Sequence, residues 1–291
     1  MNLNSLIQKL SAGASFLGGR KAQSITAPPL GNPYRFPYGP FRFRTRLPRG
    51  TEYSVLSSTD LRTWTLNTQG TAKEETVEYV DSEAFKFTYR FYRLRLGQSF
   101  SPNVIGYASV SLPPGFTMIA NPFETSLTVE DLFKEWPEGT TLNKFDTSLF
   151  RLSENGVNCG KWINAYEKLN PGEGAIFFNP TSDYKSVSFV GEVGQGNLSV
   201  PIPSGFSIRS SLVPQPGNLA DDLGFPIADG DVIHVFDRER QKYVLHPYEN
   251  GRWTAGAPVL SVGEAFWVAK TEPGNWTYRL QIDDSPEQVV T

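Results

Sequence analysis

The sequence predicts a mainly β protein: a small antiparallel β-sandwich, then two duplicated β-rich lobes, with a short N-terminal helix in front. Three observations carry this. Among 291 residues there are 20 Phe, 12 Tyr and 6 Trp, and 26 Gly and 22 Pro supply the turns that many short strands require. From Phe41 the polarity alternates with period two. Beyond Gly106 the chain repeats itself at a long, nearly constant spacing.

The elements follow in chain order. Leu3, Leu6, Ile7 and Leu10 lie at helical spacing, and Gly18, Gly19 and the Pro28-Pro29 step then end any helix. Residues 1–35 are therefore read as a helix followed by an extended arm. Nothing basic precedes the apolar positions and Gln8 and Lys9 interrupt them, so a conventional signal peptide is not expected. Gly13 to Lys21 lacks both the preceding strand and the Gly-Lys-Ser/Thr ending of a phosphate-binding loop.

Residues 36–105 read as a small immunoglobulin-like β-domain. Phe41, Phe43, Thr45 and Leu47 alternate with Arg42, Arg44 and Arg46, and further strands are expected at about 53–56, 62–66, 76–80 and 89–96. In the last of these Tyr92, Leu94 and Leu96 are out of phase with Phe85, Phe87, Tyr89 and Phe91, which predicts a bulge or bend near Phe91.

Residues 106–195 and 196–284 read as two copies of one β-rich unit, with a tail at 285–291. SLPPGF ending at Phe116 returns as PIPSGF ending at Phe206, a spacing of 90. Asp131, Gly139, Asp146, Trp162 and Glu173 return as Asp222, Gly230, Asp237, Trp253 and Glu264, a spacing of 91. Each copy should hold a short helix, at 129–135 and 220–224, with Thr128 and Asn218 as N-caps.

STDLRTWT followed by RFYRLRL resembles small immunoglobulin-like or fibronectin-like modules of secreted and surface proteins. GFTMIANPF, NPGEGAIFFNP, FVGEVGQGNL and VGEAFWVAK resemble paired repeats in such proteins of environmental bacteria. The resemblance implies an extracellular or cell-surface address and carries no activity, substrate or catalytic residue with it.

Composition excludes several chemistries. With two His and one Cys, no Cys/His zinc site, CxxC pair or intrachain disulfide can be built. No apolar run is long enough for a membrane helix. His234 and His246 both fall in the second copy, and no GxSxG occurs, so neither is read as a triad base. Cys159 has no second Cys and no closer basic residue than Lys161. Glu173 and Glu264 could form an acid–base pair, but each sits between a turn glycine and a strand, where it can accept from backbone N–H groups of its own lobe. Asp221, Asp222, Asp229, Asp231 and Asp237 lack the ligand pattern of a calcium loop and are read as turn residues. No catalytic residue, metal or cofactor is expected.

Two surfaces remain as candidates. Trp162, Trp253, Tyr166 and Tyr248 are either core anchors or rings that stack on a sugar. Arg42, Arg44 and Arg46, extended by Arg93 and Arg95, form a basic patch. Residues 1–105 carry 14 Lys+Arg against 7 Asp+Glu and residues 106–291 carry 13 against 23, so a net charge of −3 hides a dipole. The acidic lobes disfavour nucleic acid and favour docking of a basic patch on an acidic neighbour. The expectation is a non-enzymatic structural or adhesive subunit, homo-oligomeric or filamentous through Leu3, Leu6, Ile7 and Leu10 and the arginine patch. The alternative is a carbohydrate-binding module for a surface polysaccharide.

Overall fold

The structure is a computed structural model that describes residues 26–35, 37, 39–283 and 289–290. The expected N-terminal helix and its stripe Leu3, Leu6, Ile7 and Leu10 lie outside the described residues. The chain is mainly β. Its first eight strands are β1 (Gly31–Arg35), β2 (Phe41–Arg46), β3 (Glu52–Ser58), β4 (Trp64–Thr71), β5 (Thr76–Asp81), β6 (Tyr89–Leu96), β7 (Ser99–Phe100) and β8 (Ile105–Leu112). β1, β2 and β5 form one sheet, and β8, β6, β3 and β4 run side by side in the other. As the alternation requires, Phe41, Phe43 and Thr45 are buried and Arg42, Arg44 and Arg46 point outward. Between the sheets Phe41 stacks on Tyr92 at 4.6 Å. Buried Asp81 at the end of β5 accepts from Arg90 (2.8 Å) and the Tyr92 hydroxyl (2.6 Å), closing the polar end of this core.

Three expectations are corrected here. β6 has no bulge: its registers with β3 and β8 run unbroken. Both phases are apolar because β6 is central and covered on both faces, Phe91 entering one core and Tyr92, Leu94 and Leu96 another. Arg93 does not belong to the basic patch, since it is buried with its guanidinium over the rings of Phe100 (3.6 Å) and Trp64 (5.0 Å). The described end of the arm, residues 26–35, is not separate from the sandwich. β1 pairs with β2, and Leu30 exchanges hydrogen bonds with the Asn103 side chain.

The first lobe adds β9 (Gly115–Ile119), β10 (Thr141–Asn143), β11 (Phe145–Asp146), β12 (Arg151–Leu152), β13 (Val157–Asn158), β14 (Lys161–Trp162), β15 (Ala175–Asn179) and β16 (Lys185–Glu192). The second adds β17 (Gly196–Ile202), β18 (Gly205–Ser210), β19 (Gly217–Asn218), β20 (Val232–Asp237), β21 (Lys242–Glu249), β22 (Arg252–Trp253), β23 (Val259–Leu260), β24 (Ala265–Lys270) and β25 (Gly274–Leu280). Their registers repeat. Gly115 faces Asn179 in β9–β15 and Gly205 faces Lys270 in β18–β24, while Leu142 faces Phe177 and Ile233 faces Val268. Sequence spacings of 90 and 91 thus become equal hydrogen-bond registers, which is what a duplicated domain requires.

Local geometry repeats as well. The β13–β14 turn places Cys159 and Gly160 at φ 52° and 72°, and the β21–β22 turn places Asn250 and Gly251 at 52° and 74°. Both are the left-handed pair that a two-residue hairpin turn needs. Glu138 accepts from the Cys159 and Gly160 N–H groups, and Asp229 from that of Gly251.

The copies differ in two ways. A helix, α1 (Val129–Phe133), forms in the first lobe, where Thr128 and Asp131 make a capping box. At 220–224 the expected helix is a single turn: Asn218 caps it through the Ala220 and Asp221 N–H groups, but Gly224 at φ 67° ends it at once. The paired strands β8 and β16 join the sandwich sheet through β6, whereas their counterparts β17 and β25 stand as a separate ribbon. The boundary expected at 105/106 therefore falls inside a shared sheet. β26 (Val289–Val290), in the expected tail, pairs parallel to β4.

Candidate functional site

The two lobes meet along a seam whose contacts are reciprocal. Ile119 bridges to Glu264 and Arg209 bridges to Glu173, which are the same positions with the lobes exchanged. The Ala120 N–H donates to Gly263 O (2.9 Å) and the Ser210 N–H to Gly172 O (3.3 Å), again as counterparts. An approximate two-fold axis thus relates the lobes. Near it Gly174 faces Ala265, and a Cβ on Gly174 would fall 2.5 Å from that of Ala265, so the approach demands glycine.

The hairpin tips clasp across this seam with different chemistry. In the second lobe Gln241 spends its amide on the Phe116 backbone, accepting from its N–H (2.8 Å) and donating to its O (2.9 Å). The counterpart of Gln241 is Phe150, and its ring packs against Phe206, the counterpart of Phe116, at 6.4 Å. Phe150 has φ 51° and is 66% exposed. An aromatic residue held in the left-handed region costs about 1–2 kcal/mol, and an exposed ring recovers little of that by packing.

From Phe150 a belt of touching rings crosses the seam. Phe145 lies 5.3 Å from Phe150 and 4.8 Å from Trp267. Phe206 touches Trp267 and His234, and Tyr243 touches His234 and Phe236. The Trp267 indole N–H donates to the Tyr243 hydroxyl (3.1 Å). Burial pulls the His234 imidazole below its ordinary pKa, so the belt is uncharged at neutral pH. Leu149 and Leu245, 60% and 49% exposed, extend its apolar character. Sequence reasoning missed this surface because its rings come from different strands and only the inter-lobe packing unites them.

Beside the seam lies a cavity of about 440 Å³. Its wall includes Ser109, Thr117, Phe236, Arg238 and Glu264. Arg238 donates to Ser111 O (3.2 Å). Thr117 is buried, and its hydroxyl has no hydrogen-bond partner. Glu264 accepts from the Ser261 N–H (2.9 Å) as Glu173 accepts from that of Asn170 (3.1 Å), the backbone role expected of both. They differ in their cations. Glu173 takes the Lys144 ammonium at 2.6 Å, whereas Glu264 makes no ion pair among the described residues. Burial raises the Glu264 carboxyl pKa, outweighing the opposing pull of the Ser261 N–H and of Arg238.

The expected ring platform is not one surface. Trp162 is corrected to a core residue: it is buried against Phe133, and its indole N–H donates to Phe133 O (3.1 Å), leaving no face for a ligand. Trp276 plays the same part in the second lobe, donating to Leu223 O (2.7 Å). Trp253 holds the hairpin register of Trp162 but is half-buried edge-on to Tyr248. Tyr166 is 86% exposed with no ring partner among the described residues.

Arg42, Arg44 and Arg46 are exposed as expected, and Arg44 lies 3.6 Å from Glu78 on the neighbouring strand. The aspartates are engaged locally. Asp231 bonds Lys270 and the Thr271 N–H, Asp237 accepts from Glu239 and Arg240, and Asp222 accepts from Asn218. His246 shares a hydrogen with Gly256 O (2.8 Å). Among the described residues no helix is long and apolar enough to cross a membrane.

No protein-family model matches the chain, and no curated protein matches it. Among solved structures it is similar to the adhesin domain of Epf from Streptococcus pyogenes, at 9% identity over 79% of this chain and 92% of that chain, with a TM-score of 0.12. A TM-score that low carries no argument about fold or function.

Proposed function

We propose that the chain is a non-enzymatic structural or adhesive subunit of a surface, extracellular or virion-like assembly, working by contact between copies of itself. The observation that carries this reading is the aromatic belt across the seam, with strained, exposed Phe150 at one end of it. Exposed apolar surface that joins two lobes and is built around a costly backbone conformation marks an interaction surface. The engagement of the carboxylates with backbone N–H groups and lysines supports the non-enzymatic part. The arm stripe Leu3, Leu6, Ile7 and Leu10 and the patch Arg42, Arg44 and Arg46 are assigned to the same self-association. The dipole between residues 1–105 and 106–291 gives that contact a head-to-tail direction.

The test is light scattering on Phe150→Asn. Asparagine tolerates the left-handed region, so stability should hold or rise by up to about 1 kcal/mol, while association at high concentration should weaken. Equal association in both proteins would overturn the assignment of the belt. A chain starting at Ala27 tests the arm in the same way, at low and high salt.

A second reading, a carbohydrate-binding module, is favoured by one observation: the Tyr166 ring stands open to solvent, and Tyr248 and Trp253 pair on a hairpin surface. Loss of glycan-array binding in Tyr166→Ala would support it.

A further inference from the structure

We propose that the outer edge of β21 is where two copies of this chain join, by antiparallel pairing of β21 with itself about a two-fold axis through Val244. The inference rests on the self-association reading above and names the strand that makes the contact. β20 pairs with β21 from Lys242 to Pro247, but on the other side β22 reaches only Tyr248 and Glu249, so Lys242 to His246 face no strand there among the described residues. The neighbouring bonds fix where the backbone groups point. The Tyr248 N–H donates toward β20, to Asp231 O (3.0 Å), whereas Pro247 O accepts from the Thr254 N–H (3.0 Å) on the outer side. Alternation along the strand therefore aims the N–H and C=O of Tyr243 and Leu245 outward. Pro247 shares their phase, as a proline at a sheet edge must.

The side chains along this edge are apolar on both faces of the sheet. Tyr243 and Leu245 lie opposite Phe236 and His234 and continue the belt, Val244 lies opposite Val235 on the core face, and all three are exposed. The first lobe blunts the same edge. Ser153 and Glu154 stand where Val244 and Leu245 stand, the ladder is interrupted between β12 and β13, and the Asn155 amide ties the strand to the Asn164 N–H (3.0 Å) and O (3.1 Å). A continuous apolar edge is a template for another strand, and only the second lobe leaves it open. The edge is also its own complement. In the register that sets Val244 opposite its twin, Tyr243 of each copy faces Leu245 of the other, and their outward N–H and C=O groups pair completely. The two belts then share one face of a continuous sheet, and the two Val244 side chains cover each other on the opposite face.

The experiment is disulfide trapping on the full chain carrying Cys159→Asn, which leaves no other thiol. Residues opposite each other in a non-hydrogen-bonded pair have Cα atoms about 4.5 Å apart, within disulfide reach, so Val244→Cys should oxidise to a covalent dimer. Lys242→Cys should not, because the same register sets it roughly 14 Å from its twin. Leu245→Pro removes an outward N–H at the phase that Pro247 already occupies, and should raise the dissociation constant in sedimentation equilibrium roughly tenfold or more; if it does not fold, the cysteine pair decides alone. A parent that is monomeric at every concentration would overturn both the inference and the reading beneath it. Association that Phe150→Asn weakens, with no Val244→Cys dimer, would overturn the inference and leave the belt reading in place. Equal cross-linking in Lys242→Cys and Val244→Cys would contradict the register, and cross-linking only once residues 1–26 are removed would make the arm the occupant of this edge; either result overturns the proposal.

Discussion

Phe150 shows how a residue can be legible in identity and illegible in role. Its neighbours place it in a hairpin tip, and nothing local distinguishes an exposed left-handed phenylalanine from a core one. Only its match to Gln241 across the seam reveals two solutions to one clasp. Trp162 is the reverse case. The sequence left core anchor and sugar platform open, and the bond from its indole N–H to Phe133 O settles the matter. Trp162→Ala should therefore cost about 3–5 kcal/mol in urea unfolding, and Trp253→Ala, half-buried beside Tyr248, clearly less. Equal losses would contradict the packing described. Glu264 makes a pH prediction of definite sign. Its folded pKa is raised by burial, so its stabilising effect is complete below the unfolded carboxyl value and is lost as pH rises through the folded one. Glu264→Gln should accordingly gain stability relative to the parent as pH rises from 4 to 7 in parallel thermal melts. A constant difference would mean the carboxylate is not desolvated.

At the scale of elements, most strands were readable because alternation and turn residues are local signals. Phe41 to Arg46 is the clearest, with every second side chain inward. What escaped was set by partners distant in sequence. β6 carries apolar residues in both phases because sheets cover both its faces, and no window of its own sequence separates that from a bulge. The single turn after Asn218 reads as a helix in sequence because its cap is genuine, but Gly224 stops it before a second turn forms. The duplicated turns give the sharpest test of equivalence. Gly160 and Gly251 have φ of 72° and 74°, and a Cβ would meet nothing within 4 Å at either. Alanine at each should cost about 1 kcal/mol from backbone strain alone, and by nearly the same amount at both. Cys159→Asn, which copies Asn250, should be neutral or slightly stabilising. Widely different alanine penalties in urea titrations would show that the two hairpins are not the same structure.

For the whole molecule, the long repeat was the most informative signal in the sequence, since constant spacing over so many positions survives only where registers are shared. The arrangement of the copies was not legible. Nothing in either lobe announces that β8 and β16 continue the sandwich sheet, or that the lobes face each other about a two-fold axis. The belt, the clasp and the cavity all arise from that arrangement, which is why no window of the sequence marks them; of the rings read from sequence, Trp162 is the one that the packing buries. The central claim is that the seam presents an aromatic surface used for contact between copies. Hydroxyl-radical footprinting across a concentration series tests it most directly. The account predicts that oxidation of Phe150, Phe206 and Tyr243 falls as the protein is concentrated while that of Tyr166 stays constant; unchanged oxidation of the belt, with protection appearing at Tyr166 instead, would contradict it.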